Sequence, residues 1–213
     1  MTLGNTKMNL EDSFDEVYKK KMWTLNGTFT LSGPGSELRY AQNCITFLID
    51  FIQKNNIKKI VDGSCGDCLW IMEVLKYFPD IEYIGYDISH EIININKNKY
   101  KKYTFHQKSL LELEEIPSCD LFIIRHTMMH LTIDNNIKII NTLKKTNCFV
   151  FLTHHEVDKN KNGVPHTPKL TSLKWVPKNL HIKPFEIKDK LITKFKENSN
   201  NLNEYGCIYK FNL

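Results

Sequence analysis

The chain has no apolar run near the roughly 20 residues that a membrane span needs, which excludes a spanning helix as its organising element. Met1 to Glu11 is polar and lacks the apolar core of a signal peptide, so a cytosolic location is expected. A strong charge of either sign is missing. The formal net charge is +5, compatible with an anionic ligand but too weak to argue for nucleic acid. Cysteine spacing excludes a zinc set, because Cys65-x-x-Cys68 has no second pair to complete it. Cys44, Cys119, Cys148 and Cys207 stand singly in apolar patterns, as small buried hydrophobes do. There is no internal repeat. The only low-complexity stretch is the Asn/Ser-rich segment Asn198–Asn203.

What is there begins with size. A chain of 213 residues reads as a single domain over 1–213 and can remove roughly 70% of its unfolded surface from water. An N-terminal helical cap is expected over 1–56. Residues 1–11 read as disordered, Ser13–Trp23 as a short helix capped by Ser13, and Glu37–Lys54 as an amphipathic helix capped by Ser36. Leu38, Ala41, Ile45, Leu48, Ile49 and Ile52 set the apolar face of the longer helix.

An α/β core is expected over 57–213. Strands are read at Lys59–Asp62, Tyr83–Asp87, Tyr103–Gln107, Leu121–Arg125 and Cys148–Thr153. Helices are read at Leu69–Phe78, Glu91–Tyr100 and Ile133–Leu143. Short strands alternating with amphipathic helices imply right-handed crossovers and a parallel sheet. The rhythm breaks at Glu156–Leu180, a long irregular stretch with Gly163, Pro165, Pro168 and Pro177. A loop of that length in a compact domain is usually functional or disordered, and 156–185 is taken as the acceptor-side loop. Lys190–Lys196 and Gly206–Asn212 then read as a hairpin, giving a seven-stranded, mostly parallel sheet with an antiparallel C-terminal hairpin.

The densest information lies in Asp62-Gly-Ser-Cys-Gly-Asp67 and in Tyr83-Ile-Gly-Tyr-Asp87. A strand ends at a carboxylate, a small-residue turn leads into a helix, and the next strand ends at another carboxylate. Such a turn lets backbone N–H groups approach a ligand, and the second acid can accept from both ribose hydroxyls. The plainer readings are an ordinary βα turn and, for Asp87, a helix cap assisted by Ser89. Ser32-Gly-Pro-Gly-Ser36 is either a rigid loop closing over the ligand or a simple interhelical turn. His126, His130, His154 and His155, four of the eight histidines, gather at the ends of strands four and five, the edge where open α/β sheets bind ligands. Histidine suits proton abstraction near neutral pH; a divalent metal is the competing use. The basic run Lys97–Lys102 reads as a solvated helix end.

Together with Trp23, Trp70, Asp120–Arg125, His130-Leu131, Trp175–Leu180 and Pro184-Phe185, these pieces resemble class I S-adenosylmethionine (SAM)-dependent methyltransferases, in particular small bacterial and large-virus enzymes found among surface-glycan genes. The terminal hairpin favours that class over dinucleotide dehydrogenases. The resemblance implies a Rossmann-like methyltransferase fold with SAM as cofactor. It places SAM against Asp62, Gly63, Ser64, Cys65, Gly66, Trp70, Asp87, Ile88, Ser109, Leu110 and Arg125, with Ser32 and Ser36 closing over it. It implies methyl transfer to a hydroxyl, with His130 as general base, His126 second and His154 third, and no metal. Trp23, Arg125, His155 and Trp175 would meet the acceptor, Arg125 through an anionic group. The acceptor implied is a sugar or a phosphorylated or nucleotide-linked precursor of a surface polysaccharide. No membrane partner is implied, and a homodimer is compatible with the reading. Departures from the family pattern stand at Ser64 and Cys68, where glycines are usual, and at His126 and near Ser109, where Asp is expected. They leave open a metal-assisted O-methyltransferase and a catalytically silent SAM-binding protein.

Overall fold

The computed structural model describes residues 9–24, 29–162, 175–197 and 203–212. Helix α1 spans Leu10–Lys19 and α2 spans Leu38–Lys54. The core follows as β1 (Lys59–Asp62), α3 (Leu69–Leu75), β2 (Glu82–Asp87), α4 (His90–Lys99), β3 (Thr104–Gln107), β4 (Leu121–Ile124), α5 (Ile133–Leu143), β5 (Phe149–His155), β6 (Leu191–Lys196) and β7 (Glu204–Tyr209). One seven-stranded sheet has the order β3-β2-β1-β4-β5-β7-β6. The first five strands are parallel; β7 inserts antiparallel between β5 and β6. The reversal of order beside β1 opens a crevice at the C-terminal ends of β1 and β4, where a ligand reaches backbone and helix starts.

Two apolar layers hold the sheet. Ala41, Cys44, Leu48 and Ile52 of α2 pack with Ile71 and Leu75 of α3 on one face. Ile139, Ile140 and Leu143 of α5 pack with Val150, Leu152 and Tyr209 on the other. Strand β4 is buried on both faces, which explains its unbroken apolar sequence, and in β1 the apolar pair Ile60-Val61 is likewise buried on both faces.

Several boundaries shift for local reasons. Helix α1 starts before Ser13 because the Asn9 side chain accepts from the Asp12 N–H at 2.8 Å, so order begins inside the stretch expected to be disordered. It stops at Lys19 rather than Trp23, and Lys21 takes the left-handed φ of 50°. Ser36 does not cap α2; it ends a single 3₁₀ turn, and Glu37 is the cap residue. Leu38, expected in the apolar face, is 38% exposed.

The largest shift lies at the C-terminus. Strand β5 runs two residues beyond Thr153, and β7 begins at Glu204 rather than Gly206 and ends at Tyr209. The two extensions hold each other: His154 pairs with Tyr205 and His155 with Glu204. Parts of the irregular loop are pinned. Asn160 Nδ2 donates to the carbonyls of Asn179 and Lys183, and the Asn179 N–H donates back to Asn160 Oδ1 at 2.8 Å. Gly163, Pro165 and Pro168 lie outside the described residues, as does the hairpin turn up to residue 202.

Candidate active site

The turn after β1 is anchored at every step. The Gly63 N–H donates to the Ile123 carbonyl and the Cys65 N–H to that of Tyr86, each at 2.8 Å, tying the turn to both neighbouring strands. Gly66 (φ 52°) and Cys68 (φ 58°) take left-handed conformations that bend it sharply. The Gly66 carbonyl accepts from Asn96 Nδ2 at 2.6 Å. Gly63 is bare of necessity, since a Cβ there would lie 2.6 Å from Leu110 Cδ2.

The two strand-end carboxylates differ in use. Asp62 is 1% exposed and accepts from the Ser64 N–H and the Tyr83 hydroxyl. Burial pushes its carboxyl up to about 7 against those hydrogen bonds. It braces the turn from behind and does not line the cavity, so it is no direct cofactor contact. Asp87 does line it. Its oxygens accept from the Gly66 and Ser89 N–H groups at 3.0 Å, and burial raises the carboxyl to about 6 despite them. Ser89, not Asp87, caps α4 and also donates to Asp15 Oδ1 of α1 at 2.5 Å. Ser109 lies in the cavity wall, but its side chain accepts from the Leu111 N–H in a capping box with Glu112.

Asp67 is a residue whose tertiary role the sequence did not disclose. Its Oδ2 accepts from the Thr30 hydroxyl at 2.6 Å and the Leu31 N–H at 2.7 Å, while its own N–H donates to Ser32 Oγ at 2.8 Å. These bonds fasten the Ser32–Ser36 loop to the β1 turn. Thr30 and Ser32, a short polar pair before a Gly-Pro turn, were the available signal.

The cavity measures about 600 Å³, within the range of small-molecule sites. Ser32, Ser36, Gly63, Ser64, Cys65, Gly66, Trp70, Asp87, Ile88, Ser109 and Leu110 line it. So do Trp23, Arg125, His126, His130 and Trp175. Phe14 and Tyr18 of α1, with Tyr40, Met129, Glu197 and Glu204, complete walls that sequence reasoning missed.

Arg125 already has a partner in the protein. Its Nε and Nη2 meet Glu197 Oε1 and Oε2 at 3.1 and 2.9 Å, with both side chains buried, and its guanidinium lies 4.9 Å over the Trp70 ring. Burial would lower the guanidinium, but the Glu197 charge outweighs it and holds the group firmly protonated. Arg125 lines the cavity as expected, but an anionic acceptor would have to share its guanidinium with Glu197. His130 places its ring against Trp23, 5.6 Å between centroids and nearly parallel, and Trp23 leans edge-on against Phe14 and Tyr18. His126 (φ 55°) donates its N–H to Thr153 Oγ1 and brings Nε2 within 2.8 Å of Glu204 Oε1.

His154 and His155 alternate across β5. His154 faces away from the cavity, where Nδ1 accepts from the Leu180 N–H and the ring stacks on His181 at 4.0 Å. Burial, then repulsion from His181 and His155, lowers it to about 3. It is not placed to act as a base. His155 stands behind Glu204, with Nε2 3.6 Å from the same Oε1, and lines no part of the cavity. Its role as an acceptor contact is likewise corrected. Among the described residues no group of three or more His, Cys, Asp or Glu could hold a metal ion.

Residues 60–146 match the family described as "Methyltransferase domain". That segment contains the β1 turn, Asp87 and both cavity histidines. Over that segment the chain is similar to a methyltransferase domain. Solved structures share its fold. Human N-acetylserotonin methyltransferase in complex with SAM aligns with a TM-score of 0.62 at 10% identity, covering 97% of this chain and 61% of that one. An O-methyltransferase family protein from Burkholderia thailandensis aligns at 0.57 and 12%, covering 81% and 56%. The N-methyltransferase NodS from Bradyrhizobium japonicum aligns at 0.56 and 10%, covering 81% and 96%. The chain thus spans about three fifths of the length of the first two. No curated protein matches the sequence.

Two groups on the cavity wall fit SAM. Ser64 Oγ is buried there without a hydrogen-bond partner, and the buried Asp87 carboxylate lines the same space, while bare Gly63 and Gly66 make room for Leu110, Phe122 and Ser32 packed against the turn. Asp87 suits the ribose hydroxyls, and Ser64 to Gly66 suit the amino-acid half.

Proposed function

We propose that the protein transfers a methyl group from SAM to a hydroxyl oxygen of a small uncharged acceptor, most simply a sugar from a surface-polysaccharide precursor, with a cavity histidine taking the hydroxyl proton. One observation carries this reading: Asp87 and Ser64 line the same cavity as His126, His130, Trp23 and Trp175. SAM supplies an electrophilic methyl group, so the acceptor O–C bond forms as the C–S bond breaks and the electron pair of that bond stays on sulfur.

The protein's part is alignment, exclusion of water and proton removal. Positioning alone can supply a large share of such a barrier, and a general base typically adds 10²–10⁴-fold. Trp23 and Trp175 offer flat apolar faces of the kind that meet sugar rings. Among the described residues that line the cavity, two carboxylates, Glu197 and Glu204, stand near the histidines against one arginine, Arg125. This balance disfavours a phosphate beside the reacting hydroxyl, so the group entering the cavity is read as uncharged.

Calorimetric titration with SAM, S-adenosylhomocysteine and NAD, followed by measurement of S-adenosylhomocysteine release over a panel of methyl glycosides and free sugars, tests the proposal. SAM and S-adenosylhomocysteine are expected to bind and NAD not, and turnover is expected to survive exhaustive chelation. Binding of SAM with no turnover on any acceptor would instead support a silent SAM-binding protein.

A further inference from the structure

We infer that Glu204 is the positioning residue of this site, and that through His126 Nε2 it makes His126 Nδ1 the atom that takes the acceptor proton. The inference rests on the proposed methyl transfer to a hydroxyl and says which of the two cavity histidines serves it.

The argument starts from β7. Antiparallel pairing sets Glu204 opposite His155, and its 6%-exposed carboxylate lies between two imidazoles. Oε1 is 2.8 Å from His126 Nε2 and 3.6 Å from His155 Nε2. The closer pair sits at ion-pair distance but short of hydrogen-bond alignment. A carboxylate at that distance favours the proton on the nitrogen facing it, which leaves the other ring nitrogen with its lone pair.

The other nitrogen is on the opposite side of the ring from Glu204. A Cβ on Gly35 would stand 2.6 Å from His126 Nδ1 and 2.7 Å from Cε1, so the bare Gly35 backbone packs beside that part of the ring. Gly35 and His126 both line the cavity. The residue is held by its backbone N–H on Thr153 Oγ1 and by Nε2 facing Glu204, and Gly35 leaves room for the ring beside it. The left-handed backbone at His126 is uncommon for a residue with a side chain, and such conformations persist where surrounding contacts fix them.

The proton balance is complete within this set. The hydroxyl proton moves to Nδ1 as the oxygen bonds to carbon, giving an imidazolium whose Nε2–H faces the Glu204 carboxylate. His155, in the second layer, shares that carboxylate and limits its freedom to turn away. His130, its ring face against Trp23, forms the wall across which the acceptor lies.

The test is a two-bond ¹H–¹⁵N correlation spectrum of the full-length protein labelled at histidine nitrogens, with S-adenosylhomocysteine added. His126 is assigned from the signal lost in His126→Gln. The wild type is expected to carry its proton on Nε2 with Nδ1 bare, and Glu204→Leu to lose that preference. A wild-type His126 protonated on Nδ1 would overturn the inference, as would an unchanged tautomer in Glu204→Leu. The wild-type spectrum decides the matter alone if the variant does not fold. Calorimetry with SAM on the same samples separates the two ideas. Absence of SAM binding removes the proposed function, whereas SAM binding with the wrong tautomer removes only the role of Glu204.

Discussion

Two groups of residues meet at the cavity, and they are built differently. The group proposed for the cofactor, the cofactor end, comes largely from one stretch, Gly63 to Asp87, whose parts meet through the β1–β2 pairing and local turns. It presents backbone and one poised carboxylate. The group proposed for the acceptor, the acceptor end, is assembled from Trp23, Gly35, His126, His130, Trp175, Glu197 and Glu204, which are far apart in the sequence. Its charges are satisfied by one another before any ligand enters. A common cofactor can be met by a local motif, while an acceptor is met by side chains that only the folded chain collects.

The largest expected effect breaks the acceptor end. Arg125→Met leaves Glu197 buried without its cation and should cost about 3–5 kcal/mol of stability in denaturant unfolding. Arg125→Met combined with Glu197→Leu should recover most of it. A stable single variant would mean that Arg125 is free to serve the acceptor after all.

At the cofactor end, Asp87→Asn should weaken SAM binding roughly a hundredfold in calorimetric Kd, the value of about two charge-assisted hydrogen bonds. Because burial raises Asp87 to about 6, wild-type affinity should fall as pH drops through that value, by up to about tenfold per unit. The variant should show a flat profile. A hundredfold loss without the pH dependence would separate the carboxylate's charge from its shape.

Gly35→Ala sharpens the comparison, because its Cβ meets the His126 ring at 2.6 Å while the cradle of SAM is left intact. Turnover on an active acceptor should fall on the order of 10–100-fold, with SAM Kd changed by less than about threefold. Equal losses in both would mean that the loop belongs to the cofactor end.

His154→Leu should have the smallest effect at neutral pH and should leave methyl transfer unchanged. A histidine lowered to about 3 binds its proton less readily in the fold than in the unfolded chain, so its contribution is present above pH about 6.5 and is lost as pH falls toward 3. The variant should lose this acid sensitivity, a difference in slope of up to about 1.4 kcal/mol per pH unit in denaturant titrations. An unchanged slope would place the acid sensitivity in other groups.

Much of the architecture was legible. Strand β1 and helix α5 run as their sequence patterns predict, since a doubly buried strand and an amphipathic helix declare themselves within a few residues. The β1 turn and Asp87 were legible for the same reason. The place of Arg125 in the cavity was legible, but its partner was not, because the sequence displays its charge and not the carboxylate of Glu197 that pairs with it. His154 misled because strand alternation decides which face it joins, and β5 extends that far only by pairing with β7.

The amino-acid order alone determined a parallel sheet, its small-residue turn and the acid at the end of β2. Each depends on neighbours in the chain, through strand period, turn conformation and helix start. The antiparallel insertion of β7 decided the rest. It placed Glu204 behind His126, turned His154 away from the cavity and set Glu197 against Arg125. Register between strands distant in sequence is fixed by packing of the whole sheet, and no local pattern records it.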